Sequence, residues 1–275
     1  MEENKIKVVN ITVPITKSAL TLRTIGDWHY GVRGVDLKEG ERVIMREQDQ
    51  HRGNQFELYT GDLPENNLTT SVGHGYDVEI RDPDIQVKGC TATLKRLQEN
   101  LYGVKDISKL KVVQSSVLSA GVIGNHEYRS RNASGTWLNE QMYGPAKILD
   151  MGISGLINLK ITNAKLKMEK TYRIFVAHRP NNSNATSIET ILRACKKKKG
   201  DISADLYVFG HYHRRVIYPD GVYDQNGNFK KVLFVVNPSP ILYVEYADWA
   251  GFSPLDSAWY CNVYLPLDGY PYGKV

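Results

Sequence analysis

Residues of the kinds that hold divalent metals recur along this chain, each just beyond a short apolar run. Asp27 and His29 follow the run from Ala19 to Ile25, and Asp62 follows Gln55 to Thr60. Asn125 and His126 follow Val117 to Ile123, His178 follows Thr171 to Ala177, and His211 with His213 follow Ala204 to Phe209. Singly these are weak signals. Gly61-Asp62 is a common turn dipeptide, Asp27-Trp28-His29 and His211-Tyr212-His213 can be polar turns, and His178 can be a satisfied core histidine. Their shared placement is what matters, because sites in α/β sheets form in the crevice beyond the carboxyl ends of strands. Two carboxylates, four imidazoles and one amide oxygen suffice for two divalent ions if one carboxylate bridges and solvent completes the shells. Two ions about 3.5–4 Å apart can clamp the attacking and leaving oxygens of a phosphoryl displacement.

In extended backbone the D-x-H and H-x-H spacings put both ligands on one side, while Asn125 and His126 point to opposite sides. Glycines 26, 61, 124 and 210 let the chain turn sharply beside an ion. The elements that must position these residues alternate between strand and helix, which predicts a layered α/β architecture. A first strand spans Ile6 to Ile15, and Lys231 to Val236 follows the last motif. Leu94, Leu97 and Leu101 recur at helical spacing and stop at Gly103. A helix from Ser187 to Lys199 opens on a Thr186–Glu189 capping box, carries Ile188, Ile191, Leu192 and Cys195 as its apolar stripe, and ends at Gly200. Its lysines 196–199 either complement the helix dipole or form a phosphate-binding patch. The aromatic stretch after Ala247 reads as irregular, wrapping over the domain or offering a surface on which bases stack.

The chain has 275 residues, 41% of them hydrophobic and 24% charged, with a net charge of +5. That balance suits one soluble domain with a mild preference for anionic substrates. No apolar run reaches the roughly 18 to 20 residues of a membrane span, and the N-terminus lacks a signal core. A cytoplasmic protein with no membrane partner is therefore expected. Three scattered cysteines form no CxxC pair, so neither a disulfide framework nor a thiolate zinc site is indicated.

Read in order, Asp27-Trp28-His29, Gly61-Asp62-Leu63-Pro64-Glu65, Gly124-Asn125-His126-Glu127, His178 and Gly210-His211-Tyr212-His213 resemble the motif series of the calcineurin-like metallophosphoesterase superfamily. The resemblance implies a four-layer αββα sandwich, two mixed sheets flanked by helices, as a single domain over residues 1–275. It implies that Asp27, His29 and His213 hold one metal, that Asn125, His178 and His211 hold the other, and that Asp62 bridges. Attack on phosphorus would come from a hydroxide held between the ions, with His126 near the substrate as a non-ligating catalytic residue oriented by Glu65. Many members carry aspartate at the position of Glu65, and glycine often stands where Ala177 precedes His178. The cofactors implied are two divalent ions, with Mn favoured and Fe, Zn or Mg compatible.

For the substrate, Asp27-Trp28-His29-Tyr30-Gly31 resembles the double-strand-break repair nucleases of the superfamily, and Gly124 to Arg129 resembles phosphoesterases encoded by bacteriophages. Both favour a phosphodiesterase or nuclease acting on DNA or RNA. A phosphomonoesterase and a non-catalytic metal-binding scaffold are the alternatives. Arg129, Arg214 and Tyr212 are the candidate substrate contacts. Arg33, Arg131, Arg179 and Arg215, with Tyr30 and Tyr128, lie close to motifs and either serve the same purpose or pack structurally. The chain ends soon after the last motif, so any DNA platform would be small or built by a homodimer. The loop from Leu63 to Asp84 is a candidate lid.

Overall fold

The structure, a computed structural model, describes residues 6–66, 78–180, 187–223, 227, 229–241 and 257–273. In chain order the elements are β1 (Lys7–Pro14), β2 (Ala19–Ile25), α1 (Leu37–Gln50), β3 (Gln55–Tyr59), α2 (Pro83–Tyr102), β4 (Ser119–Gly121), α3 (Asn125–Ser134) and α4 (Leu138–Ala146). Then follow β5 (Leu149–Asp150), β6 (Ser154–Asn163), β7 (Met168–Ala177), α5 (Ile188–Lys199), β8 (Leu206–Phe209), β9 (Val216–Tyr223), β10 (Phe229–Val236), β11 (Cys261–Pro266) and β12 (Tyr272–Gly273).

Side-chain alternation sorts the apolar residues onto three interfaces and so defines four layers. One six-stranded sheet has the order β1-β6-β7-β8-β10-β9, the other β12-β11-β2-β3-β4-β5. Both are mixed: β7, β8 and β10 run parallel, as do β2 to β5, whereas β6/β7, β9/β10 and β11/β2 are antiparallel. Inward residues of both sheets, among them Val9, Ile11, Leu22, Leu58, Ile157, Ile174, Val208 and Val263, meet in a central core. The outer face of the second sheet packs Ile25 and Tyr59 against Ile44 of α1, Leu94 of α2 and Met142 of α4. The outer face of the first packs Phe175, Phe209 and Phe234 against Ile191 and Cys195 of α5. This is the helix–sheet–sheet–helix sandwich expected from the motifs.

Under α1 and α2 lies an ion pair with no solvent access. Arg23 Nη1 donates to Glu57 Oε1 at 2.9 Å, both side chains being fully buried. Glu57 also accepts from Gln48 Nε2 and from the Tyr59 hydroxyl, each at 2.8 Å. Helix α2 begins with the Asp82 side chain accepting from the Asp84 amide and a proline in the first turn, and it stops at left-handed Gly103.

Several expectations are corrected. Helix α5 is capped by Ser187, whose hydroxyl accepts from the Thr190 amide at 3.2 Å, while Glu189 pairs with Arg193. Thr186, the expected cap, lies outside the described residues, as does half of the candidate lid, residues 67–77. Cys261–Pro266, inside the stretch read as irregular, is a strand beside β2. β9 carries Pro219, and as the outermost strand of its sheet it tolerates the missing amide. Among the described residues no helix is long and apolar enough to cross a membrane.

Candidate metal centre

The parallel neighbours β2, β3 and β4 end at the same edge of one sheet, and β7 and β8 end at the corresponding edge of the other. The segments that follow carry every predicted ligand, and bonds within and between the sheets tie them together. Asp27 N donates to Gly61 O at 2.8 Å, His211 N donates to Asp27 Oδ1 at 2.6 Å, and His178 Nδ1 lies 2.7 Å from Thr60 O. Because that carbonyl can only accept, Nδ1 carries a proton, and Nε2 is the ring nitrogen that faces the site and can ligate once its own proton is lost.

These loops are not extended, which corrects the simple alternation argument. Asp27, His29, Asp62, His211 and His213 all have φ between 50° and 78°. Left-handed backbone is uncommon for residues with a Cβ, and its concentration here is the kind of local strain that marks functional sites. Asn125 and His126 also depart from expectation: they open helix α3, with Gly124 as N-cap, and diverge by a helical step. Gly61 must lack a side chain, since φ is +88° and a Cβ would overlap the backbone of Gly124. At Gly210 a Cβ would sit 2.7 Å from Asp27 Oδ2 and 2.9 Å from His178 Nδ1.

Among the described residues three overlapping groups have ligand atoms within 4.8 Å of one another: Asp27, His29 and His213; His29, Asp62 and His126; and Asp62, His178 and His211. Asp62 Oδ2 lies 2.9 Å from His178 Nε2 and 3.9 Å from His29 Nε2, so one carboxylate oxygen faces both outer groups. Asn125 Oδ1 joins the second group, 3.1 Å from His178 Nε2. His29 and His213 turn their Nε2 atoms towards each other at 2.9 Å.

Charge in the cluster is finely balanced. Burial pushes the Asp27 carboxyl up to about 6, against the pull of His178. Burial disfavours a charged His178, but the Asp62 and Asp27 carboxylates outweigh it and raise that imidazole to about 9. Burial, then the neighbouring His178, drives His211 down to about 3, and burial with His29 holds His213 well below its ordinary range. A proton on His178 thus supplies positive charge at a point where three donors converge. Imidazole nitrogens facing one another with carboxylates between them are, once the imidazoles lose their protons, the donor set that divalent Mn, Fe or Zn accepts.

Around this cluster stand residues whose roles the motif spacing did not reveal. Glu127 is buried, and its carboxylate accepts from Leu63 N at 2.8 Å, Gly124 N at 2.9 Å and Asp62 N at 3.0 Å. It therefore staples the β3 and β4 loops together, and burial beside Asp62 raises it to about 7. Asn66 donates to His126 O at 2.5 Å, and the Ser239 hydroxyl donates to Asp27 O at 2.6 Å. Glu65 reaches His29 Nδ1 at 2.7 Å and His126 Nδ1 at 3.4 Å, so its carboxylate is nearer the ligand than the catalytic candidate. His126 Nδ1 instead meets the main-chain carbonyl of Glu65. That acceptor fixes the proton on Nδ1, so the 3.2 Å approach of Arg129 Nη1 brings two donors together and is a charge contact only. His126 Nε2 is then free, 3.8 Å from Asp62 Oδ2.

The expected substrate contacts separate. Arg129 is half-buried beside His126, and Arg214 is half-buried with no side-chain hydrogen bond or ion pair among the described residues. Tyr212 is 8% exposed and packs in the core beneath the first sheet, its ring edge-on to His211. Burial corrects its assignment as a substrate contact. Arg33 pairs with Glu79 on the surface, and Arg131 lies over Trp137 at 4.0 Å.

No protein-family model and no curated protein sequence matches this chain. Solved structures of similar shape include a Streptococcus pneumoniae protein described as a predicted phosphoesterase, at 11% identity, with 94% of this chain and 95% of that one covered and a TM-score of 0.34. Another is Vps29 of Entamoeba histolytica complexed with zinc, at 11% identity, 93% and 97% coverage and a TM-score of 0.38. A third is GAP50 of Plasmodium, the anchor in the inner membrane complex, at 13% identity, 93% and 83% coverage and a TM-score of 0.39. Motif order, sandwich architecture and clustered candidate ligands, rather than superposition, carry the likeness. In those respects the chain is similar to the calcineurin-like metallophosphoesterases.

Proposed function

We propose that this chain is a dinuclear-metal-dependent phosphoesterase that hydrolyses phosphodiesters. The observation that carries the proposal is Asp62 Oδ2, placed between His178 Nε2 and His29 Nε2 so that one oxygen serves both ligand groups. Asp27, His29 and His213 would hold one ion, and Asn125, His178 and His211 the other, with Asp62 shared. Such a pair of ions supplies positive charge for the phosphoryl oxygens and a solvent nucleophile acidic enough to act near neutral pH.

The chain's own residues supply the rest. His126, anchored through Nδ1, offers Nε2 towards the substrate. Burial keeps it neutral in the resting site, opposed by Asp62 and Glu65, and an arriving phosphate anion would favour its protonated form. From Nε2 the proton can pass to the ester oxygen as its bond to phosphorus breaks. Glu65 orients His29, and Arg129 places a guanidinium at the same rim.

The test is turnover of metal-stripped, Mn-reloaded protein on mono- and bis-p-nitrophenyl phosphate, single-stranded DNA and duplex DNA. Diester hydrolysis that Asp62→Asn abolishes supports the proposal. Hydrolysis of the monoester alone would make the protein a phosphomonoesterase. No turnover of any substrate by metal-loaded protein would make it a binding scaffold.

A further inference from the structure

The four lysines at the end of α5 do not act alike. Lys196 pairs with Asp220 at 2.9 Å and lies over the Tyr218 ring, and Lys199 lies over the Tyr207 ring. Lys197 is exposed and lines no cleft among the described pockets. Lys198 is exposed, has no hydrogen bond or ion pair among the described residues, and lines two adjoining clefts. The first, of about 410 Å³, starts at the metal centre, with Asn125, His178 and Tyr128 in its wall. The second, of about 710 Å³, continues past Ile153 to Arg131, Trp137 and Lys7.

We infer that this continuous cleft holds a single nucleic-acid strand extending from the metal centre, with Lys198 contacting a backbone phosphate and the Tyr128–Arg131–Trp137 wall stacking a base. The inference rests on the phosphodiesterase reading of the same site and specifies its substrate. Three observations carry it. First, the wall is a built stack: the Arg131 guanidinium lies 4.0 Å from the Trp137 ring centre and 5.2 Å from that of Tyr128, and donates to the Tyr128 hydroxyl at 3.2 Å. An arginine packed against two aromatic rings puts positive charge beside aromatic surface, the combination that sequence-tolerant strand binding uses. Second, the charge is right. Lys198, Arg131, Arg179 and Lys7 outnumber Glu140 and Asp150, and the Asp150 oxygens already accept from Gly152 N and Asn139 Nδ2. Third, each volume falls in the range of sites that enclose a small ligand, which gives room for a nucleotide whose base is unpaired.

Kinetics on a length series supply the test, using full-length Mn-loaded protein with bis-p-nitrophenyl phosphate, a thymidine dinucleotide and an octanucleotide. The octanucleotide should have the lowest KM. Lys198→Glu should raise the ratio of octanucleotide KM to bis-aryl KM about tenfold, the loss of a base or phosphate contact. Trp137→Leu, which keeps apolar bulk but removes the ring face, should do likewise, and Lys197→Glu should leave the ratio unchanged. Anisotropy of a labelled octathymidylate, titrated with salt, reads the same contacts without turnover, and Lys198→Glu should shallow the salt slope. Equal KM for both oligonucleotides, or equal effects of the Lys197 and Lys198 reversals in kinetics and anisotropy, would overturn the inference while leaving bis-aryl hydrolysis intact. Loss of bis-aryl hydrolysis in wild type with octathymidylate binding retained would instead overturn the catalytic reading alone.

Discussion

Replacing Glu127 by glutamine should weaken metal binding about tenfold while leaving the metal-free protein close to wild-type stability. The carboxylate accepts three main-chain amides from two loops. Glutamine keeps its shape but owns one acceptor oxygen. Its best orientation turns that oxygen to the Asp62 and Gly124 amides and leaves its NH₂ facing Leu63 N, so one buried donor is orphaned at a cost of about 1–3 kcal/mol. Against this, the rise of Glu127 from the ordinary 4.5 to about 7 means that its ionised form costs about 3 kcal/mol in the metal-free site. A neutral amide removes that cost, so the two effects roughly cancel before metal binds. Once dications neutralise Asp62, its share of that cost is relieved while the larger burial share persists, so the lost hydrogen bond is offset less fully than in the metal-free site. The difference appears as weaker affinity, a tenfold change being about 1.4 kcal/mol. Titration calorimetry with Mn, paired with thermal unfolding with and without metal, reads both halves. An unchanged affinity, or an equal fall in Tm with and without metal, would refute the stapling role.

Metal affinity should also rise with pH. In the metal-free protein His178 keeps its proton up to about pH 9, and a ligand must lose it, so each pH unit between 6.5 and about 9 should tighten binding about tenfold through this group. Calorimetry in buffers of different ionisation enthalpy would show the released proton, and a flat profile would contradict it. The same group has a folded-state value above its ordinary 6.5, so its contribution to metal-free stability is full below pH 6.5 and lost as pH rises through about 9. Asp27 and Glu127, raised to about 6 and about 7, act in the same direction over lower windows. At the buried pair under α1 and α2, Arg23→Met should cost about 3–5 kcal/mol, because Glu57 is left charged without its counter-ion. Urea denaturation would measure this, and a loss under about 1 kcal/mol would mean that Gln48 and Tyr59 satisfy Glu57 alone.

Spacing pointed to seven candidate ligands. Asp27, His29, Asp62, Asn125, His178, His211 and His213 each follow an apolar run, and a parallel strand order brings the ends of such runs to one edge. The outward strands and the α2 and α5 helices were legible for the same reason: period-two and helical apolar spacing are local properties of the chain. What stayed hidden depends on contacts between distant segments. Glu127 looks like any polar residue in a helix start until β3 and β4 place three amides around it. Tyr212 looked like a substrate contact because it sits between two ligands, yet left-handed backbone on either side turns its ring into the core. β11 pairs with β2 across more than two hundred residues, so no local signal distinguished it from an irregular tail. The lysine run at the end of α5 divided only once β9 supplied Asp220 to Lys196 and the metal-centre cleft opened beside Lys198. Residue types and their order set the chemistry this chain can attempt; the packing of two sheets decided which side chains face that chemistry and which support it.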